Sequence, residues 1–381
     1  MQKIIKLMII LGTRPEAIKL CPLINELQKH EDSIKTFVCV TAQHREMLDQ
    51  VLSIFEVKTD YDLNLMKSDQ TLFHITTNIL IKLDEIFKKE EIDMVIVQGD
   101  TTTTFAASLA AFYHKIQVGH VEAGLRTGNK YSPFPEEINR KLTTVLSDLH
   151  FAPTSYNKIN LINEGISDDR IFVTGNTVID ALLWVRNKIR KDNMVFPEFN
   201  DIDFNKKVIL VTGHRGESFG KGFINLCHAL KIIAQNNTDI VVVYPVHLNP
   251  NVRKPVNEIL SGISNIKLME PLDYEPFVEL IDKSYIVITD SGGIQEEAPS
   301  LGKPVLVTRE TTERPEALDT GSVKLVGTDL DKIVNETQLL LDNTDIYNSL
   351  CIVQNPYGDG KASIRIVEAI KTYFKDSIGK L

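Results

Sequence analysis

Ile4–Leu11 (IIKLMIIL) runs directly into Gly12–Glu16 (GTRPE), and this succession of an apolar run and a turn recurs along the chain. The run shows no polar alternation, as is typical of strands in parallel sheets, which are buried on both faces. Gly12 suits a tight turn, and Pro15 suits the first turn of a helix. We therefore interpret Ile4–Leu11 as a buried first strand that leads into a helix.

Short runs rich in Ile and Val recur in two series, with stretches of helical periodicity between them. The first series continues with Thr36–Thr41, Met94–Val97, Ile116–Gly119, Leu149–Ala152 and Ile171–Val173. The second series comprises Val208–Thr212, Ile240–Tyr244, Ile266–Leu268, Tyr285–Thr289, Pro304–Val307 and Val323–Val326. This alternation predicts parallel sheets covered by helices. We therefore expect an α/β chain with two Rossmann-like, doubly wound domains.

The polar stretch 186–207 is the best linker candidate, and we place the domain boundary slightly before it, near Asn176. The expected domains are residues 1–175 and 176–361. A final helical pattern, Ala362–Lys375, lies within the remaining segment 362–381 and is able to pack back on either domain.

Composition excludes several classes of protein. The 381 residues carry a formal net charge of −9, which argues against sequence-independent nucleic-acid binding because that function needs a basic face. The four cysteines are far apart and form no C-x-x-C pair, so neither a disulfide framework nor a zinc site is indicated. No apolar segment approaches the roughly 20 residues that span a bilayer. We expect a cytoplasmic protein without a nucleic-acid or membrane partner.

Polar residues concentrate just after the predicted strands, where open parallel sheets bind ligands. Arg14 and Lys19 follow the first strand and flank a predicted helix N-terminus, which favours anions. They form a candidate phosphate site. The alternative is a solvated turn with Lys19 on an exposed face.

Three carboxylates, those of Asp100, Glu122 and Glu136, lie in separate loops or helix starts of the first half. Groups that remove and return a proton on a sugar ring must stand on different faces of it, so this distribution suits acid and base work. Simpler interpretations are a helix cap at Asp100 or one of the threonines after it, and a pair between Glu136 and Arg140 on one helix.

The second half offers further candidates for phosphate and nucleoside binding. His214 ends a strand, and Ser291, Gly292 and Gly293 open a helix whose amides suit a pyrophosphate. A structural histidine and a simple tight turn are the alternatives. Three side chains complete the set, one as a ribose acceptor, one as a further cation and one as a stacking ring: Glu297, Arg314 and Phe277.

Familiar cofactor and catalytic motifs are absent from the sequence. There is no G-x-G-x-x-G after a strand, no P-loop, no G-x-S-x-G, no H-E-x-x-H and no Cys/His metal spacing. We therefore expect neither a metal nor a cofactor. Phosphate-binding loops in two domains without these motifs point to a nucleotide sugar as the ligand.

The chain resembles the non-hydrolysing UDP-N-acetylglucosamine 2-epimerases nearly from end to end. The resemblance rests on these segments: Gly12–Glu16 (GTRPE), Thr41–Leu48 (TAQHREML), Gly99–Thr103 (GDTTT), Gly119–Arg126 (GHVEAGLR), Pro133–Glu137 (PFPEE), Thr212–Glu217 (TGHRGE) and Asp290–Glu297 (DSGGIQEE). It implies a GT-B fold, in which two Rossmann-like domains face a central cleft. It also implies a homodimer.

The resemblance further implies a role for each candidate residue. Asp100, Glu122 and Glu136 would act as acid and base around the sugar, with Lys19 beside them. The UDP phosphates would be held by Arg14, His214, Ser291, Gly292, Gly293 and Arg314, and His214 would also be a catalytic residue. Glu297 would bind the ribose, and Phe277 would lie against the uracil. The implied reaction is anti elimination of UDP to 2-acetamidoglucal, followed by re-addition with a proton delivered to the opposite face of C2.

Bacterial members often have an allosteric substrate pocket, whose pattern is matched here by Gln43, His44 and Gln70. The sequence departs from this pattern at Asp69, where many members carry an arginine, and an aspartate there would repel a diphosphate. It also has Leu272 where some members have glutamine. The nearest rival functions are a hydrolysing epimerase and a nucleotide-sugar sensor without turnover.

Overall fold

The computed structural model describes residues 4–41, 45–65, 71–213, 220–312, 314–352 and 354–378. The chain divides into two compact units. Unit 1 comprises Met1–Leu183 together with Tyr357–Leu381, and unit 2 comprises Trp184–Pro356. The sequence predicted boundaries at 175/176 and 361/362, whereas the units change over at 183/184 and 356/357.

Within its described residues, unit 1 contains a sheet of seven strands in the order β3-β2-β1-β4-β5-β6-β7. All of the pairings are parallel. The strands are β1 (Ile5–Leu11), β2 (Ile34–Val40), β3 (Tyr61–Asp62), β4 (Met94–Gln98), β5 (Gln117–Val121), β6 (Leu149–Ala152) and β7 (Ile171–Val173).

The described part of unit 2 contains a sheet of six parallel strands in the order β10-β9-β8-β11-β12-β13. The strands are β8 (Lys207–Thr212), β9 (Ile240–Pro245), β10 (Ile266–Met269), β11 (Ile286–Thr289), β12 (Val305–Val307) and β13 (Val323–Leu325). In both units the order of the first six strands is the doubly wound order 3-2-1-4-5-6, here counted within each sheet.

Helices connect the strands. In unit 1 they are α1 (Arg14–Gln28), α2 (Arg45–Ile54), α3 (Leu72–Phe87), α4 (Thr102–Tyr113), α5 (Glu136–Leu146), α6 (Ser155–Asn163) and α15 (Ala362–Ile378). In unit 2 they are α8 (Lys221–Asn236), α9 (Pro250–Leu260), α10 (Tyr274–Lys283), α11 (Gly292–Ser300), α12 (Pro315–Asp319), α13 (Leu330–Asp342) and α14 (Thr344–Cys351). Helix α7 (Thr177–Asp192) runs from unit 1 into unit 2.

The strands form because their side chains are buried on both faces. In unit 1, Met8 and Ile10 of β1 share a core cluster with Val95 of β4 and with Ile79 of α3. Each of these four side chains has no measurable exposure. Full burial of an aliphatic side chain contributes about 1.5–3 kcal/mol, so an apolar run of this kind commits its segment to the middle layer.

The predicted fold class of two doubly wound α/β domains is confirmed. Each of the twelve apolar runs coincides with a strand, and β3 is an addition at the sheet edge. The final helix belongs to unit 1, where the Lys371 ammonium lies 2.8 Å from Nδ1 of His30, in the turn that follows α1. Within the described residues, none of the helices is both long enough and apolar enough to cross a membrane.

Candidate active site

Several of the candidate residues follow the strands at which each sheet reverses its order. In unit 1 the reversal lies between β1 and β4, and in unit 2 it lies between β8 and β11. Strand order reversal leaves a crevice at the carboxyl edge of the sheet, because the loops on either side run in opposite directions. Arg14 follows β1, Asp100 follows β4, and Ser291 follows β11.

Glu122 is the most firmly held of the three carboxylates. Its oxygens lie 2.6 and 2.7 Å from Nζ of Lys19, and it also accepts hydrogen bonds from Gln98 and, at 3.0 Å, from Asn176. The side chain of Glu122 is only 8% exposed. Lys19 is therefore a half-buried partner of a carboxylate, and the alternative of an exposed Lys19 is wrong.

The backbone at Glu122 supports a functional role. Its φ is +64°, in the left-handed region that side-chain-bearing residues rarely adopt. Such a conformation costs about 1 kcal/mol or more, and strained backbone of this kind is enriched at active sites and ligand clamps. It directs the chain after β5 so that the Glu122 carboxylate meets Lys19 on α1.

Asp100 is held by two residues of α5. Its carboxylate accepts a hydrogen bond from Arg140, and its backbone carbonyl accepts one from Asn139 at 3.0 Å. Arg140 also donates to Glu137, at 3.1 Å, where the sequence suggested a pair with Glu136. The Asp100 side chain retains 28% exposure, so a ligand is able to reach it.

Glu136 is the first residue of α5 and is half-buried. The helix that begins with Glu136 is therefore the one that holds Asp100. Helix α5 therefore fixes the position of Asp100 relative to Glu136.

The threonine run after Asp100 begins a helix, as expected. Thr101 is the N-cap of α4, and its side chain accepts a hydrogen bond from the Thr104 amide at 3.1 Å. The cap is therefore a threonine, and Asp100 is left to interact with α5.

Glu16 is a site residue that the sequence reasoning missed. This buried carboxylate accepts hydrogen bonds from the amides of Gly12 (3.0 Å) and Thr13 (2.7 Å). It also accepts from the hydroxyls of Thr101 (2.7 Å) and Thr104 (3.2 Å), which lie after β4. Burial raises the pKa of the Glu16 carboxyl. Glu16 joins the loop that carries Arg14 to the loop that carries Asp100, and its spacing from Thr13 matches the capping-box pattern.

In unit 2, Ser291 is the N-cap of α11, and Gly292 and Gly293 form its first turn. The first amides of a helix have no partner within it and attract anions. Arg314 is buried against this turn and donates from Nε to Glu296 at 2.5 Å. Glu297, one turn further on, is 7% exposed.

The structure thus brings together two subsets of the predicted residues. In unit 1, Glu122 pairs with Lys19, Asp100 is held by α5, which begins at Glu136, and Arg14 is the half-buried first residue of α1. Unit 2 groups Ser291, Gly292, Gly293, Glu297 and Arg314 around α11, while Phe277 is half-buried on α10. The predicted residues His214, Gln43, His44 and Gln70 lie outside the described residues, as does Asp69.

Fold and site together define an α/β enzyme, and comparisons with known proteins identify the family. Residues 25–371 match the family model described as UDP-N-acetylglucosamine 2-epimerase. The chain is 56% identical over 373 residues to the UDP-N-acetylglucosamine 2-epimerase of Yersinia pestis, covering 97% of this chain and 99% of that protein. It is 56% identical over 370 residues to that of Escherichia coli K12, covering 96% and 98%.

A solved structure agrees with these sequence relatives. The crystal structure of UDP-GlcNAc 2-epimerase from Neisseria meningitidis bound to UDP-GlcNAc has a TM-score of 0.88 and 54% identity, covering 97% of this chain and 100% of that chain. The chain therefore belongs to the UDP-N-acetylglucosamine 2-epimerase family.

The two adjacent glycines of α11 provide a test of the Arg314 packing. A Cβ on Gly292 would lie 2.4 Å from Nη1 of Arg314, whereas a Cβ on Gly293 would find its nearest neighbour at 3.9 Å. We expect Gly292→Ala to lower the free energy of unfolding by about 1–3 kcal/mol through overpacking. Gly293→Ala is the matched control and should not destabilise the protein. Urea denaturation followed by circular dichroism measures both, and equal stabilities would show that Arg314 is not fixed as described.

Proposed function

We propose that the protein interconverts UDP-N-acetylglucosamine and UDP-N-acetylmannosamine by inverting C2 of the sugar. The observation that carries this proposal is the Lys19–Glu122 pair, together with an Asp100 that is held by the helix beginning at Glu136, in a chain of this family. Three carboxylates on separate elements allow a proton to leave one face of a sugar and return to the other. An enzyme of this type would serve the synthesis of a cell-surface polysaccharide.

Elimination and re-addition provide a chemical route that needs no redox partner. The C2 proton is poorly acidic because no carbonyl is attached to C2. Cleavage of the C1–O bond expels UDP, and loss of the C2 proton to a carboxylate forms the C1=C2 bond of 2-acetamidoglucal. In the return step, a UDP oxygen adds to C1 and a second group delivers a proton to the opposite face of C2. The reaction is balanced without a cofactor, and we propose none.

The carboxylates differ in how they are held, which fits a division of roles. Asp100 and Glu136 retain solvent access and are suited to proton transfer. Glu122 is ion-paired with Lys19, so it places both a carboxylate and an ammonium beside the sugar. Charged groups fixed before the reaction stabilise developing charge without reorganisation.

The leaving diphosphate needs positive charge and hydrogen-bond donors. We assign these to Arg14, His214, Arg314 and the first turn of α11 from Ser291 to Gly293. Glu297 would accept from the ribose hydroxyls, and Phe277 would lie against the uracil. Gln43, His44 and Gln70 are the proposed allosteric residues.

Proton NMR in deuterated water tests the function directly. Purified protein is mixed with UDP-N-acetylglucosamine and no cofactor, and the anomeric and H2 signals are followed. We expect UDP-N-acetylmannosamine to appear up to a fixed equilibrium with deuterium at C2. Irreversible release of UDP and N-acetylmannosamine would indicate the hydrolysing reaction, and an unchanged spectrum would indicate a sensor.

Amide variants test the carboxylates one at a time. We expect Asp100→Asn, Glu122→Gln and Glu136→Gln each to bind UDP and to lose most turnover, by about 100-fold or more for a lost acid or base. Calorimetry with UDP and the NMR assay provide the two measurements. Wild-type turnover in any one variant would remove that residue from the mechanism.

We also propose that the protein forms a homodimer through unit 1. Ile138, Leu142 and Val145 recur on one face of α5 and are 37, 41 and 79% exposed. The neighbouring end of α4 exposes Phe112 and Tyr113 by 57 and 68%. Exposed apolar side chains on two helices that pack against each other are typical of an interaction site.

The dimer proposal is tested by sedimentation velocity at micromolar concentration. We expect the wild type to sediment as a dimer and Leu142→Glu/Val145→Glu as a monomer. Val195→Glu, at a residue of unit 2 that is 84% exposed, is the control and should remain dimeric. A monomeric wild type would refute the proposal.

A further inference from the structure

His120 is a buried histidine of β5 that the proposed mechanism does not use. Its side chain has no measurable exposure, and Nε2 lies 2.7 Å from the backbone carbonyl oxygen of Gly99. A carbonyl only accepts hydrogen bonds, so Nε2 carries the proton and donates it. The ring is thereby fixed as the Nε2–H tautomer.

Strand β5 holds both backbone polar groups of Gly99. The carbonyl accepts from His120, and the amide donates to the Val121 carbonyl at 3.0 Å. Gly99 has a φ of +71°, so the chain turns sharply here before Asp100. A left-handed turn fixed at both of its polar groups determines where the next residue begins.

The His120–Gly99 hydrogen bond also links the position of Asp100 to that of Glu122. His120 lies two residues before Glu122, and a Cβ on Gly99 would lie 3.5 Å from the Glu122 carboxylate. On its other side, Asp100 is held by Asn139 and Arg140 of α5. Asp100 therefore stands between two supports, one from β5 through Gly99 and one from α5.

We propose that His120 is a positioning residue, which holds the Gly99–Asp100 peptide so that the Asp100 carboxylate is kept in register with Glu122. The expected effect on turnover rests on the proposed function. The expected effect on the structure of the Gly99–Asp100 segment rests only on the hydrogen bond from His120 to Gly99. His120 does not touch the substrate and exchanges no proton with it.

The electrostatic surroundings agree with a fixed, neutral donor. Burial lowers the pKa of His120 to about 3; the hydrogen bond to Gly99 and the charge of Glu122 act to raise it, while His150 and Arg126 act in the same direction as burial. Since the ring is neutral above that pH, loss of His120 should lower the rate without moving the pH profile of kcat. A proton-transfer role would move it.

His150 is a matched control on the neighbouring strand. It pairs with His120 in the β5–β6 register, is 1% exposed, and has its pKa lowered by burial to about 4. Its ring interacts with the backbone of Ser147 and not with the loop before Asp100. A substitution at His150 thus reproduces the loss of a buried histidine without the loss of the Gly99 contact.

The kinetic experiment compares His120→Phe, His150→Phe and His120→Gln. We expect His120→Phe to lower kcat by about 100-fold at an unchanged KM, the size of effect produced by a misplacement of about 1 Å. His150→Phe should keep most of its kcat. Glutamine places an amide near the position of Nε2, so His120→Gln should restore most of the rate, whereas the shorter His120→Asn should not.

Hydrogen exchange provides a readout that does not depend on the substrate. Amides of the segment 98–104 should exchange faster in His120→Phe than in the wild type or in His150→Phe, and His120→Gln should restore protection. If the wild type shows no epimerase activity, the proposed function fails and this comparison still decides the positioning role.

The proposal is overturned by unchanged protection of segment 98–104 in His120→Phe, or by equal loss of kcat in His120→Phe and His150→Phe. If His120→Phe does not fold, the contrast between His120→Gln and His120→Asn decides. Equal behaviour of these two amides would also overturn it.

Discussion

Parallel pairing is the constraint from which the rest of this structure follows. A strand that is buried on both faces carries mostly apolar side chains along its length. The polar work is therefore displaced to the loops after β1, β4 and β5, all of which emerge at one edge of the sheet. Residues that are far apart in sequence therefore meet at this edge, as Lys19 and Glu122 do.

The sequence predicted the layers well because they depend on local properties. Each of the twelve apolar runs corresponds to a strand, because a strand that is buried on both faces needs apolar side chains at consecutive positions. Strand β3 was missed because Tyr61–Asp62 is too short and too polar to form a recognisable apolar run. A helix start at Asp100 or one of the threonines after it was also predicted, because a cap is encoded within a few residues, and the structure places the cap at Thr101.

Partnerships across the sheet edge were not predictable in the same way. Lys19 and Glu122 are 103 positions apart, and Arg140 reaches Asp100 from 40 positions away. Spacing along a helix suggested a Glu136–Arg140 pair. In the structure, Arg140 instead donates hydrogen bonds to Asp100 and to Glu137. The importance of Glu16 was likewise hidden, because half of its donors come from a loop some 85 positions later.

The two units differ in how they are distributed along the chain, and therefore in the order in which their residues are synthesised. Unit 2 is one continuous segment, whereas unit 1 is completed by α15, whose first amides donate to Asp180 at 3.1 and 2.8 Å. Chains emerge from the ribosome in sequence order, and domains generally fold as units. Unit 2 therefore has all of its residues before unit 1 has its last helix. Unit 1 is therefore the first unit to be synthesised and the last to be completed. Until α15 has been made, the face of α1 against which it packs is exposed to solvent.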